Sequence, residues 1–450
     1  MRPAAATVRR MDDWLNMSAA DLGRGIEAGR IDPRDLTETY LSAIASHPYA
    51  GRIYARLTED RARSEAAAAA DRAKRSIRHG PLDGVPISWK DLFDTAGTAT
   101  ESGSAFLKGR IPERDARVLT YATQAGLVCL GKTHQTELAF SGLGLNPVTA
   151  SPPCVNDHDA VPGGSSSGAA TSVAFGLAAT GIGSDTGGSV RIPAVWNDLV
   201  GLKTRYGRLS LDGVVPLCGR FDTVGPLCRS VEDAALMLGV LENSKPADLA
   251  GMTLKGARFA ILDNCAFDGI EDAPRTAFEN AVERMASSGA TFRRVDLPAV
   301  AQAMALAGVL YAPEAYATWR DKIEAQGDLM YPPVRKRFLS GKDALASDYI
   351  AAWRELDCLR LMYLEAVAGF DAVLLPSCLT LPPKAQPLLD DEDAFTSANL
   401  KALNNTRIGN LMGLAAITLP AGVPSTGVMM QGPSEERLLR LAAAAEVVLG

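Results

Sequence analysis

Two short stretches of this 450-residue chain concentrate side chains capable of covalent chemistry. The first is Pro162-Gly163-Gly164-Ser165-Ser166-Ser167-Gly168, and the second is Gly183-Ser184-Asp185-Thr186-Gly187-Gly188-Ser189-Val190-Arg191. A serine hydroxyl is a weak nucleophile until a neighbouring base takes its proton. The usual base is histidine, but the chain has only 4 (His47, His79, His134 and His158), none of them in a motif. A lysine can serve instead where burial disfavours its ammonium form. Such a lysine belongs at the end of a core strand. Lys90 follows the apolar run 85–89, with Asp91 directly after it. A lone lysine at a strand end is usually a surface residue, and it is the two serine-rich turns that single out Lys90. The glycines have a use as well. Free of Cβ obstruction, Thr186-Gly187-Gly188-Ser189 can turn several backbone N–H groups toward one point. That makes an oxyanion hole, usually the largest contribution to acyl transfer.

Three rival readings of these turns fit less well. A flexible Gly/Ser linker fits poorly, because the apolar helical run 169–177 lies between the turns and ties both to the core. A phosphate-binding loop would need a Gly-Lys-Ser/Thr ending, which is missing. A Gly-x-Ser-x-Gly elbow fails because Gly187-Gly188-Ser189-Val190-Arg191 has no second glycine in place.

The elements that must hold these residues show in the hydrophobic pattern. Ser18 opens a helix ending near Gly29, Asp32-Pro33 opens another to about residue 47, and 59–78 is an Ala- and Arg-rich helix with a solvated face. Residues 1–80 are thus a helical N-terminal layer of the same domain as 81–450. Beyond it, strands at 85–89, 127–130, 259–262, 291–295, 371–375 and 416–419 alternate with helices at 116–125, 169–177 and 274–287. This alternation predicts an α/β fold, with a mixed, mostly parallel β-sheet core covered by helices on both faces. The stretch 327–348 is the least regular and reads as an insertion or lid.

Composition sets the remaining bounds. With 47% apolar and 22% charged residues the chain is an ordinary soluble one, and a net charge of −6 argues against nucleic acid as partner. The seven cysteines (129, 154, 218, 228, 265, 358 and 378) are scattered without a Cys-x-x-Cys pair, as expected of free thiols in a reducing cytoplasm. Residues 1–10 are basic and Ala-rich but lack the apolar core of a secretory signal, and Met11 is an alternative start. The run 173–182 is too short to span a membrane. No metal and no organic cofactor are expected, and no membrane partner.

The double motif resembles the amidase signature family. That family's Gly-Gly-Ser-Ser-Gly-Gly turn is matched by 163–168, with Ser167 where glycine is commoner, a variant associated with allophanate-hydrolase-like members. Its Asp-x-Gly-Gly-Ser-x-Arg turn is matched by 185–191. The upstream Asp-Gly-Val-Pro-x-x-x-Lys-Asp block stands at 83–91, and 131–139, 201–210 and 410–417 resemble further blocks. Thr204-Arg205 replaces the usual Pro-Thr, and Ala415 stands where proline is usual. The resemblance implies the amidase signature fold and a Ser–cis-Ser–Lys triad. Ser189 is then the nucleophile, Ser165 the bridging serine after a cis Gly164–Ser165 peptide, and Lys90 the base. Thr186, Gly187, Gly188 and Ser189 form the oxyanion hole, Ser166 supports by hydrogen bonding, Asp185 holds the turn and Arg191 pins the loop. The implied reaction is hydrolysis of a small-molecule amide to an acid and ammonia or an amine. Arg220 is a candidate to bind a substrate carboxylate, as in members acting on allophanate-like or malonamate-like acids. Tyr311, Trp319, Tyr331 and Phe338 are candidates for an acyl pocket. Two alternatives stand beside this reading: the glutaminase subunit of a tRNA-dependent amidotransferase, from which 150–160 departs, and a non-catalytic binding protein on the same fold. A homodimer is left open.

Overall fold

The computed structural model describes residues 13–450; the basic tail and the choice between Met1 and Met11 lie outside the described residues. Side-chain oxygens start the first helices as their sequence requires. Ser18 accepts from the N–H of Asp21 ahead of Ala19–Glu27, and Asp32 accepts from Arg34 ahead of Pro33–Ser46. Helix Glu59–Lys74 buries only alanines. The N-terminal layer is not wholly helical, because Tyr54–Leu57 forms a strand, β1.

Ten further strands follow: β2 (Pro86–Lys90), β3 (Val128–Thr133), β4 (Thr180–Ser184), β5 (Val200–Lys203), β6 (Val224–Cys228), β7 (Arg258–Leu262), β8 (Thr291–Val295), β9 (Ala372–Pro376), β10 (Ala415–Pro420) and β11 (Gly427–Gly432). All join one sheet in the order β1-β3-β2-β4-β6-β5-β10-β11-β9-β7-β8. The fold is α/β with a mixed sheet, as the alternation of elements predicts. Its balance differs from the expectation, since four pairings are parallel and six antiparallel. Parallel pairing occurs at β3-β2-β4 and β9-β7-β8, where helices provide crossovers. In the middle of the sheet, neighbouring strands that follow one another in the chain are joined without a crossover helix. β10 and β11 are joined by a six-residue turn, and β6 returns from β5 without a helix to insert between β4 and β5, antiparallel to both.

Strands β2 through β6 are buried at every position, as are β9 and β11, so they show no in-and-out alternation. The stretch 327–348 is more regular than expected. Pro332 and Pro333 open a helix, Pro332–Leu339, at the one turn where proline costs no hydrogen bond. Three long helices, Ala307–Gln326, Ala346–Val367 and Glu392–Leu411, complete this part of the molecule.

The N-terminal segment is held to the sheet by two polar side chains. The buried Asp233 carboxylate accepts from the N–H groups of Ala19 and Ala20 at 3.1 and 2.8 Å. The Arg229 guanidinium donates to the carbonyls of Leu15, Met17, Val173, Ala178 and Ala179. The N-terminal layer and the sheet are therefore expected to melt in a single thermal transition. Arg229→Met should lower that whole transition, by a loss of about 2–3 kcal/mol from abandoned carbonyl acceptors. A separate early melting of the layer in calorimetry would contradict this.

Candidate active site

Lys90 is the last residue of β2 and is fully buried. Its Nζ donates to Ser165 Oγ at 2.7 Å and to Ser184 Oγ at 2.8 Å. Burial pushes the ammonium down to about 7, against the opposing charges of Asp185 and Asp222. An amine at that value is substantially neutral near neutral pH. Ser184 carries no signal of this role in the sequence. It ends β4, beside β2, and only strand pairing reveals it.

The peptide between Gly164 and Ser165 is cis. A Cβ on Gly164 would lie 2.5 Å from the nitrogen of Gly144, so only glycine fits there. Ser166 Oγ donates to the carbonyl of Ser184 at 3.2 Å and accepts from its N–H at 3.3 Å, locking the turn against β4. Ser167 begins helix Ser167–Ala174. Ser189 is joined to the same turn through its backbone, its carbonyl accepting from Ser166 N–H at 3.2 Å. Ser189 Oγ makes no hydrogen bond to Ser165 among the described residues.

Asp185 organises the second turn. Its Oδ1 accepts from Gly188 N–H at 2.8 Å and its Oδ2 from Val190 N–H at 3.1 Å. Arg191 donates to both oxygens, at 2.9 and 3.0 Å, and Asn410 Nδ2 donates at 2.9 Å. Burial alone would raise this carboxyl; the Arg191 charge and hydrogen bonds outweigh it and hold it at about 2. Gly188 has φ +142°, and a Cβ there would sit 2.1 Å from Thr406 Oγ1. One expectation is corrected by this geometry. With its N–H bound to Asp185, Gly188 is not available to an oxyanion. The N–H groups of Thr186, Gly187 and Ser189 donate to no protein atom among the described residues, and these three residues line a cavity. Thr186 is itself held by its Oγ1, which donates to Asp222 at 2.6 Å.

The cavity over Ser189 measures about 320 Å³. Its far wall is formed by helices that the alternation of strands and helices does not announce. Arg337 comes from Pro332–Leu339, Tyr311 from Ala307–Gln326, and Asn399 and Arg407 from Glu392–Leu411. Among the described residues, no aspartate or glutamate lines it. Arg337 lies 4.3 Å over the Phe140 ring and donates to the Phe140 carbonyl, while neither arginine has a carboxylate partner among the described residues. Burial and the nearby Arg407 push Arg337 down to about 9, so it keeps its charge at neutral pH. Burial likewise lowers Arg407. Tyr311 Oη and Asn399 Nδ2 are buried without a partner among the described residues.

Arg220 is not in this cavity. It lines a separate one of about 670 Å³ with Lys203, Arg208, Trp353 and Arg360, its guanidinium 3.6 Å over the Trp353 ring. The physical reason is that Cys218 and Phe221 face the core, which turns the intervening Arg220 outward onto an aromatic face. Of the four aromatic candidates for the acyl pocket, only Tyr311 lines it. Trp319 donates to the Pro216 carbonyl, Phe338 packs on Phe140 and Tyr331 on Phe395. Among the described residues, no group of three or more His, Cys, Asp or Glu side chains is placed to hold a metal ion.

Comparison with known proteins agrees with this arrangement. Residues 35–435 match the Amidase family model. The 2-amino-5-chloromuconic acid deaminase of Comamonas testosteroni is 34% identical over 456 residues, covering 96% of this chain and 97% of that protein. A glutamyl-tRNA(Gln) amidotransferase subunit from Pelobacter propionicus is 31% identical, covering 96% and 97%. A crystal structure of an amidase superposes with a TM-score of 0.85 at 30% identity, covering 96% of this chain and 100% of that one. With its sheet, its paired serine turns and this match along nearly its whole length, the chain belongs to the amidase signature family and is an amidohydrolase.

Proposed function

We propose that this amidase hydrolyses a small amide that also carries a carboxylate, through an acyl-enzyme on Ser189. The observation that carries the substrate class is the pair Arg337 and Arg407, which share the cavity of Ser189 without a carboxylate of their own among the described residues. A half-buried guanidinium without a counter-ion is costly, and an anionic substrate supplies the missing charge. Tyr311 and Asn399 add two polar side chains to the same wall. The Comamonas relative is likewise named for an acid.

In the proposed cycle neutral Lys90 takes the proton of Ser165 as Ser165 takes that of Ser189. Ser189 Oγ bonds to the amide carbon. The oxyanion is received by the N–H groups of Thr186, Gly187 and Ser189. The proton returns along the same path to the departing nitrogen, which leaves as ammonia or an amine. Water then attacks the ester, the relay runs again, and the acid is released. Direct contact between Ser165 and Ser189 forms with substrate in place, since catalytic hydrogen bonds often tighten only in the complex. The seven unpaired cysteines fit a reducing, cytoplasmic location.

The reading as part of an amidotransferase rests on relatives such as that from Pelobacter. Glutamine, the amide substrate of that reading, also carries a carboxylate, but it brings an ammonium group. A cavity lined by two arginines and, among the described residues, no acidic one offers that group no partner. An amido acid without a cationic centre fits better.

An ammonia-release screen over amido acids, neutral amides, ureas and glutamine, with Ser189→Ala as the blank, should find amido acids turned over fastest by the isolated chain. A preference for glutamine would favour the amidotransferase reading. Lys90→Met should lower kcat/KM by about 10²–10⁴-fold. Because the neutral amine is the active form, wild-type kcat/KM should rise with pH through about 7. An acid limb absent from the pH profile would remove Lys90 as base. Arg337→Leu and Arg407→Leu should each raise KM for the amido acid by about 10- to 100-fold, the worth of a charged hydrogen bond, and leave a neutral amide little changed. Arg220→Ala should alter neither.

A further inference from the structure

Helix Ala346–Val367 packs inward through Ala352, Trp353, Leu356, Leu359 and Tyr363. Its opposite face carries exposed Ile350, Leu361 and Leu364 among charged residues. Of fourteen large apolar side chains exposed among the described residues, five (Leu345, Ile350, Leu361, Met362 and Leu364) fall on or beside this helix. Such concentration marks a contact surface rather than scattered exposure. Along the outer face, Ile350, Arg354, Asp357, Leu361 and Leu364 follow one another at spacings of four, three, four and three. That is the spacing of a coiled-coil seam.

The seam is self-complementary. We infer that this face pairs with the same helix of a second copy of the chain, antiparallel about a two-fold axis passing between residues 355 and 356. In that register Arg354 meets Asp357 of the partner copy, and Asp357 meets its Arg354. Ile350 lies against Leu361, again twice by symmetry. Arg354 has no ion pair within the chain among the described residues, and Asp357 is engaged only by Arg360, at 3.2 Å through one of its oxygens. A parallel arrangement would instead stack Arg354 on Arg354 and Asp357 on Asp357, setting like charges together. The charges therefore select the antiparallel partner. A single helix pair lies at the small end of specific interfaces, so the dimer should form reversibly with concentration. The seam does not include the residues lining the cavity over Ser189.

Sedimentation velocity over a wide concentration range tests this directly. The wild-type chain should pass from monomer to dimer as concentration rises. Arg354→Glu alone and Asp357→Arg alone should each hold it monomeric, since each sets like charges across the axis. The double variant Arg354→Glu/Asp357→Arg restores the opposite pairing and should dimerise again. Thermal unfolding of each variant, expected within a few degrees of wild type for exposed positions, separates loss of pairing from loss of folding. A wild-type chain that stays monomeric throughout would overturn the inference, as would a dimer indifferent to both single reversals or a double variant that fails to recover.

Discussion

Asp185 and Arg191 are both fully buried, six residues apart, and three parts of the chain meet on them. Asp185 ties down the N–H groups of Gly188 and Val190. Arg191 donates to the Thr406 carbonyl at 2.7 Å and to Asn410 Oδ1 at 2.6 Å. Thr223 returns a bond from its hydroxyl to the Asp185 carbonyl at 2.6 Å. A buried ion pair is tolerable only when its remaining hydrogen-bonding capacity is used, and here it is. The consequence is a turn whose shape is over-determined. One of its four amides is turned inward to the carboxylate and three remain free beside Ser189. Removing either charge would leave the other buried and alone, which is why the nucleophile turn and the helix Glu392–Leu411 stand or fall together.

Three lysines are buried among the described residues, and their surroundings separate them better than their proton affinities do. Burial brings both Lys90 and Lys203 down to about 7. Lys203 donates to the carbonyls of Thr204 and Leu414, and Lys132 to the Phe93 carbonyl and Thr100 Oγ1, with Asp91 at 3.5 Å. A carbonyl accepts a hydrogen bond but has no proton to pass on. Among the described residues Lys90 donates only to two hydroxyls, Ser165 and Ser184, and a hydroxyl can both give and receive. Lys203 is thus held by carbonyls alone and Lys132 by a carbonyl, a hydroxyl and a nearby carboxylate, whereas Lys90 meets only the two hydroxyls.

The charge distribution across the cavity divides the labour. The floor, around Ser189, is made of backbone amides with their acidic and basic supports hidden beneath it. The wall opposite carries Arg337 and Arg407 facing space that no carboxylate of the described residues fills. In the proposed reading a substrate anchored by its anion at the wall would present its amide to the floor, so binding and reaction would fall to different elements of the fold. Arg220, close in sequence to the Ser189 turn, lines a different cavity.

The two turns, the position of Lys90 and the class of fold are legible from the order of residues, because each depends on near neighbours. Turn geometry is short-range: Gly164, Gly188 and the serines beside them act within a few residues. The apolar run ahead of Lys90 is enough to place that lysine at the end of a core strand. The alternation of elements likewise announces α/β, and the helix caps at Ser18 and Asp32 need only their own neighbours. Whatever arrives from a distance was settled by packing instead. Ser184 reaches Lys90 only because β4 lies beside β2. Asn410 and Thr406 meet the turn only because a helix more than two hundred residues later packs over it. Gly188 leaves the oxyanion set only because Asp185 captures its amide, and Arg337 lies in a stretch whose pattern looks irregular. The antiparallel centre of the sheet belongs to the same class, since β6 inserts between β4 and β5 through long-range strand pairing. Local chemistry is encoded locally, whereas the walls of a cavity are assembled by packing, whose partners carry no mark of one another along the chain.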